Sequence, residues 1–156
     1  MKILLHRIGP PVLMLFLLLG AVEAYSEKKD AAGRFDAAGL KEADVRDFLR
    51  ALQAGVLNRR SDQVAKLVEF PLRVNGCKRT QYIQRKDFKR RFSWVFGGRV
   101  LKAVKEARFE TLAANWQGVM IGAGEVWFSG ICEGASRKGD CDKYRIRVSA
   151  VNQGCP

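Results

Sequence analysis

The sequence predicts an α+β fold in one domain, and three observations carry that expectation. Val45, Phe48, Leu49, Leu52, Val56 and Leu57 recur at helical spacing, which puts one apolar stripe along one side of a helix. The last third changes to aromatic and β-branched runs broken by glycines, the pattern of paired strands. A chain of 156 residues with 47% apolar content suits one core of ordinary size.

Residues 1–24 read as a secretory signal peptide. Lys2 and Arg7 precede an apolar run from Val12 to Leu19, and Val22 and Ala24 are the small residues before a cut after Ala24. The run is too short to span a bilayer, so no membrane span is expected in the mature chain. Residues 25–43, rich in Ala, Gly and charge with Phe35 and Leu40 as isolated apolar positions, read as a flexible leader. The domain proper is expected over 44–156.

Asp44 is the expected N-cap of the first helix. Ser61 and Asp62 restart a short helix, "QVAKLVEF", which Pro71 is expected to end. "FPLRVNG" reads as a strand closing on an Asn75-Gly76 turn, with "CKRTQYI" as its return. A third helix starts at about Arg85, with Asp87 in a capping role and Phe88, Phe92, Val95 and Phe96 on its apolar side. Gly97-Gly98 breaks it and "RVLKAVKEA" adds a further helical segment. "RFETLAANWQGVMI", "EVWFSGIC" and "YRIRVSAVNQ" are strand-like, separated by Gly122-Ala123-Gly124 and by a polar loop from Glu133 to Asp142. The Gly-Ala-Gly triplet is hairpin chemistry: a strand follows it, whereas a phosphate-cradling loop needs a helix there.

Export would mature Cys77, Cys132, Cys141 and Cys155 in an oxidising compartment. Their separations of 55, 9 and 14 residues hold no CxxC knuckle, which makes zinc the weaker reading beside disulfides, and no metal or cofactor is expected. Three pairings are open. The short step across an apparent loop favours Cys132 with Cys141, leaving Cys77 with Cys155. The sole histidine, His6, lies in the signal peptide, which removes Ser-His-Asp and Cys-His catalysis and imidazole bases from the mature chain.

Charge is concentrated. The chain carries a formal +12, and between Lys78 and Arg108 eleven basic residues stand against Asp87 and Glu106, a local +9. From Phe109 to Ser136 there are Glu110, Glu125 and Glu133 and no base. The expectation is a basic face built on Arg85, Lys89, Arg90, Arg99, Lys102 and Lys105.

Two helices, a short hairpin, a helix and a run of long strands resemble the NTF2-like, or cystatin-like, cone. The resemblance covers about Asp44 to Gln153, and its local carriers are "VAKLVEFPLRVNG", "RKDFKRRFSWVF" and "GVMIGAGEVWF". It implies N-terminal helices packed on a curved antiparallel sheet, as in small exported members of unassigned role. That superfamily hosts isomerases, cyclases and dehydratases as well as non-catalytic binding modules, so function has to be argued from the site. Its enzymatic branches typically use an Asp-His pair or an Asp with a Tyr. This chain lacks the histidine, and neither Tyr82 nor Tyr144 lies in a segment that carries the resemblance.

Within a cone, the aromatic hairpin is expected on the cavity wall, with Asn115, Trp116, Glu125 and Trp127 as pocket candidates. The plainer expectation is that the tryptophans fill the core and that Glu125, beside a turn, is wetted; a buried Glu125 could instead have a raised pKa and act as a base. No catalytic residue is singled out, because Asp47, Asp62, Glu69 and Asp87 all fit helix surfaces or caps. The resulting expectation is a binding module whose basic face takes an anionic envelope component or an acidic protein. Nucleic acid ranks lower, since no usual nucleic-acid module is present. A small enzyme on the same cone and an immunity or inhibitor protein are the alternatives, and a homodimer through the sheet is a further expectation.

Overall fold

The computed structural model describes residues 33–133, 141 and 143–155. The signal peptide expected over 1–24, its cleavage point and most of the polar loop after Glu133 lie outside these described residues. No helix among them is long and apolar enough to cross a membrane.

Among the described residues, four α-helices and six strands build an α+β fold. The helices are α1 (Glu42–Leu57), α2 (Ser61–Val64), α3 (Arg85–Val95) and α4 (Gly98–Glu106), and the strands are β1 (Val68–Gly76), β2 (Thr80–Ile83), β3 (Ala113–Asn115), β4 (Gly118–Ile121), β5 (Val126–Cys132) and β6 (Tyr144–Gly154). The strands form one open sheet in the order β2-β1-β6-β5-β4-β3. Four of the five pairings are antiparallel, but β1 runs parallel to β6. The sheet is therefore mixed, which corrects the expected antiparallel one. Antiparallel neighbours here follow one another along the chain, whereas β1 and β6 are separated by all the other strands, so no turn between them sets their relative direction.

The stripe of α1 behaves as its spacing predicts: Val45, Phe48, Leu49, Leu52 and Val56 are buried. Leu57 is exposed, because the helix ends there. The backbone of α1 comes close to α2 at Gly55, where an added Cβ would lie 2.6 Å from a Val64 methyl. On the sheet, Leu72, Val74, Phe128 and Val148 are fully buried and belong to the same core as the helix residues. Phe88 links several parts of that core, with its ring 5.3 Å from Phe70, 5.8 Å from Phe92 and 6.2 Å from Phe96.

Alternate strand residues face the other way. The register sets Tyr82, Arg73, Ala150, Trp127, Met120 and Ala113 in one row across all six strands. A bulge in β6 opposite Trp127 adds Ser149 to this side, since two residues there oppose one.

Several local expectations are corrected. Phe35 and Leu40 are buried in the core and residues 36–38 form a 3-10 turn, so the segment from Gly33 onward packs on the domain where a flexible leader was expected. The N-cap of α1 is Lys41, and Asp44 lies in the first turn. Its carboxylate instead accepts the Tyr144 hydroxyl at 2.7 Å, while that hydroxyl accepts the Lys41 N–H at 3.1 Å. A side chain a hundred residues away thus does the capping.

Pro71 ends no helix: the short helical stretch is over by Leu67 and Pro71 lies within β1. It sits where the β1–β6 register breaks between Val68 and Arg73, so its missing N–H costs no ladder bond. Asn75 and Gly76 stay in β1 rather than turning. Asn75 pairs with Thr80, accepts that hydroxyl at 2.9 Å and donates to Asn152 at 2.6 Å, which keeps it in the sheet and leaves Cys77–Arg79 to make the turn. Gln84 is the N-cap of α3, and Asp87 binds Arg90 instead. The first part of "RFETLAANWQGVMI" is a 3-10 turn at Phe109–Thr111.

Both favoured disulfides are present. Cys132 bonds Cys141, and Cys77 bonds Cys155 across 78 residues.

Candidate functional site

The basic segment divides into groups with different neighbours. Arg85 stacks its guanidinium 4.7 Å from the Phe70 ring. Lys89 reaches Asp62 of α2 at 3.4 Å, and Arg90 pairs with Asp87 of its own helix at 2.7 Å. On the other flank of α3, Arg91 donates to Gln81 at 3.1 Å and lies 5.7 Å from the Trp94 ring. Lys102 and Lys105 are exposed on α4, and neither has an ion pair among the described residues. Because the pairs involving Lys89 and Arg90 are solvent-exposed, each contributes little to folding and both cations stay open to a partner.

Arg99 has a different role. Its Nε and Nη2 donate to Glu125 Oε1 at 3.1 and 2.6 Å, and Glu125 Oε2 accepts the Ala123 N–H at 2.6 Å. Glu125 is only 7% exposed, a correction to the wetted side chain expected beside a turn. The reason lies in the turn itself: Gly122 has φ +68°, and a Cβ there would collide with Glu125 Oε2. Gly154, at φ +67°, gives Arg99 similar room. Burial pushes the Glu125 pKa up, but the Arg99 hydrogen bonds, the backbone N–H and the Arg99 charge outweigh it, so the pKa is lowered. A carboxylate held ionised by three donors is poorly suited to take up a proton at neutral pH.

This pair has a measurable pH signature. A depressed folded pKa means the stabilising contribution is complete above the ordinary glutamate value of 4.5 and is lost as pH falls through the folded value. Thermal midpoints of the wild type and Glu125→Gln should therefore differ at neutral pH and converge on acidification. A gap that widens in acid would contradict the assignment.

The four pocket candidates do not come together. Trp116 is 82% exposed in the β3–β4 connection, and Asn115 accepts the Gln117 N–H at 2.8 Å, which shapes that turn. Glu125 is sequestered by Arg99. Trp127 is half-buried on the sheet face away from the core, where it lines a cleft of about 220 Å³ with Arg73, Gln117, Ser149 and Asn152. Between helices and sheet, Phe48 meets Phe128 at 4.7 Å and Phe35 meets Phe109 at 5.4 Å, so aromatic rings fill the space where a cone cavity wall was expected. Because Trp127 keeps one side in water, Trp127→Ala should cost about 1 to 2 kcal/mol rather than the 3 to 5 of a fully buried ring. Denaturant titration distinguishes the two values.

A second cleft, of about 310 Å³, lies where α3 meets α4 and is lined by Ser93, Trp94, Gly98, Arg99 and Gln153 among others. Trp94 is 39% exposed there, and its carbonyl accepts the Gln153 amide at 2.5 Å. Trp94 is not among the apolar positions Phe88, Phe92, Val95 and Phe96 that the spacing of α3 predicts. The available signal was its offset: Phe88, Phe92 and Val95 are buried on one side, and Trp94 falls near Arg90 and Arg91 on the helical wheel.

Tyr144 is engaged with Asp44 and Lys41, and Tyr82 stands 62% exposed on β2. Among the described residues no three His, Cys, Asp or Glu side chains are grouped to hold a metal. Comparison with protein-family models, curated proteins and solved structures finds no match to this chain.

Proposed function

We propose that this chain is an exported binding module, built as an NTF2-like cone, whose basic surface holds an anionic envelope component or an acidic protein. The observation that carries the reading is the net +9 between Lys78 and Arg108, with Arg85, Lys89, Arg90, Lys102 and Lys105 all exposed. Clustered like charges repel one another unless an anion is nearby, so a surface of this kind favours a partner of opposite sign. Two disulfides and the lack of a long apolar helix among the described residues are compatible with an extracellular protein. The order of helices, hairpin, helices and a four-strand meander supports the cone reading.

The test is a charge reversal. Arg85→Glu, Lys89→Glu and Lys102→Glu together should leave the thermal midpoint almost unchanged, because exposed charges contribute little to folding. Retention of envelope species by the purified protein at low salt should fall sharply, and the salt dependence of the wild-type affinity should flatten. Undiminished retention by the triple variant would reduce this surface to solvated charge.

A further inference from the structure

We propose that the corner where α3 meets α4 docks on an anionic phospholipid surface, with Trp94 entering the headgroup layer and Lys78, Arg79, Arg91 and Lys102 facing the phosphates. This rests on the basic-surface reading above and gives it a place and a partner.

The corner joins two kinds of chemistry that a bilayer interface requires. Trp94 offers a large ring that is 39% exposed, with an apolar body and a polar N–H, the amphipathic combination that settles at headgroup depth. Its backbone carbonyl is tied to Gln153 and the Arg91 guanidinium lies 5.7 Å from its ring, so the ring is presented from a fixed base. The Cys77–Cys155 bond fastens the β1–β2 turn, which carries Lys78 and Arg79, to the end of β6 two residues beyond Gln153. Lys102 follows Arg99 by one turn of α4. Four cations thus come from three separate parts of the chain.

The acids of the neighbourhood do not cancel this charge. Asp87 is paired with Arg90 and Glu125 with Arg99, which leaves Glu106, toward the far end of α4, as the exposed acid between Lys78 and Arg108 without an ion pair among the described residues. The cleft beside the ring, about 310 Å³, has room for a phosphate headgroup. Trp116 is more exposed than Trp94, yet the stretch from Phe109 to Ser136 that contains it has no basic residue. Exposure alone therefore does not select the docking point; charge complementarity selects Trp94. An aromatic anchor and a polybasic surface are the two signals that together give stable but reversible membrane attachment.

The experiment is co-sedimentation of the protein, purified after export, with vesicles of phosphatidylcholine alone and of phosphatidylcholine with phosphatidylglycerol, at low and high salt. Binding is expected only to the phosphatidylglycerol vesicles and is expected to weaken with salt. Each Lys or Arg lost near an anionic surface lowers affinity about five-fold, so Lys78→Glu with Arg79→Glu and Arg91→Glu should weaken binding by two orders of magnitude or more. Trp94→Ala should lose most of the binding that persists at intermediate salt, while Trp116→Ala should bind as wild type. Brominated acyl chains should quench the wild-type tryptophan emission and should not quench that of Trp94→Phe, a readout that survives if the alanine variant folds poorly. Binding that follows Trp116 instead of Trp94, or that ignores the triple reversal, overturns the proposal. If neither vesicle is bound while an envelope extract still yields a salt-sensitive partner, the lipid site is wrong and the broader reading stands; if both fail, both are wrong.

Discussion

Serine at both Cys77 and Cys155 is expected to lower the unfolding free energy by about 4.5 kcal/mol, the largest effect of any change confined to one contact. The bond closes 78 residues, and in the chain-entropy account the freedom it removes from the unfolded chain grows with the logarithm of that length. The Cys132–Cys141 bond closes only 9, so its removal should cost about 2.6 kcal/mol. The longer bond also lies at the end of the single parallel pairing, next to Gly76 and Gly154, where no tight turn holds the two strands in register. Urea titrations of the two double-serine variants, with m-values compared, check the ranking. A smaller loss for the Cys77–Cys155 variant would mean that the β1–β6 pairing keeps its register unaided.

Phe88→Ala should cost about 3 to 5 kcal/mol. The ring is 1% exposed and its edge-to-face partners come from β1, from its own helix and from Phe96 just beyond it. Removing it leaves a void that three rings fixed by other contacts cannot close, and the cavity adds to the lost transfer energy. Stability from denaturant midpoints measures the loss. A loss below about 1 kcal/mol would show that Phe92 and Phe96 repack into the space.

The pair of changes shows how unevenly the chain was legible. The cysteine pairing could be favoured but not fixed, because a nine-residue step across a polar loop makes Cys132 with Cys141 the easier closure while counting alone leaves three pairings open. Phe88 could be placed in the core because Phe92 and Val95 share its helical side. Arg99 and Glu125 could not be joined: they are 26 residues apart, each has a plain surface reading, and only the approach of the Gly122 turn and the end of β6 to α4 buries the carboxylate against the guanidinium. Trp127 posed a similar problem. Alternation says that it and Phe128 face opposite ways, but which of the two faces the helices depends on where α1 packs.

By itself the sequence determined the periods and the punctuation: helical stripes in α1 and α3, the break at Gly97-Gly98, the Gly122-Ala123-Gly124 hairpin, the concentration of positive charge between Lys78 and Arg108 and the cysteine arithmetic. These are local, set by residues within one or two turns of each other or by simple counting. The tertiary structure alone decided that β1 runs parallel to β6, that Phe35 and Leu40 join the core, that the Tyr144 hydroxyl caps α1 at the Lys41 N–H, that Glu125 is held ionised by Arg99 and that Trp94 emerges among the cations. Each of these depends on contacts between residues distant in the chain, whose free energy comes from burial and pairing once the elements dock, and burial of that kind leaves no spacing in the sequence to read.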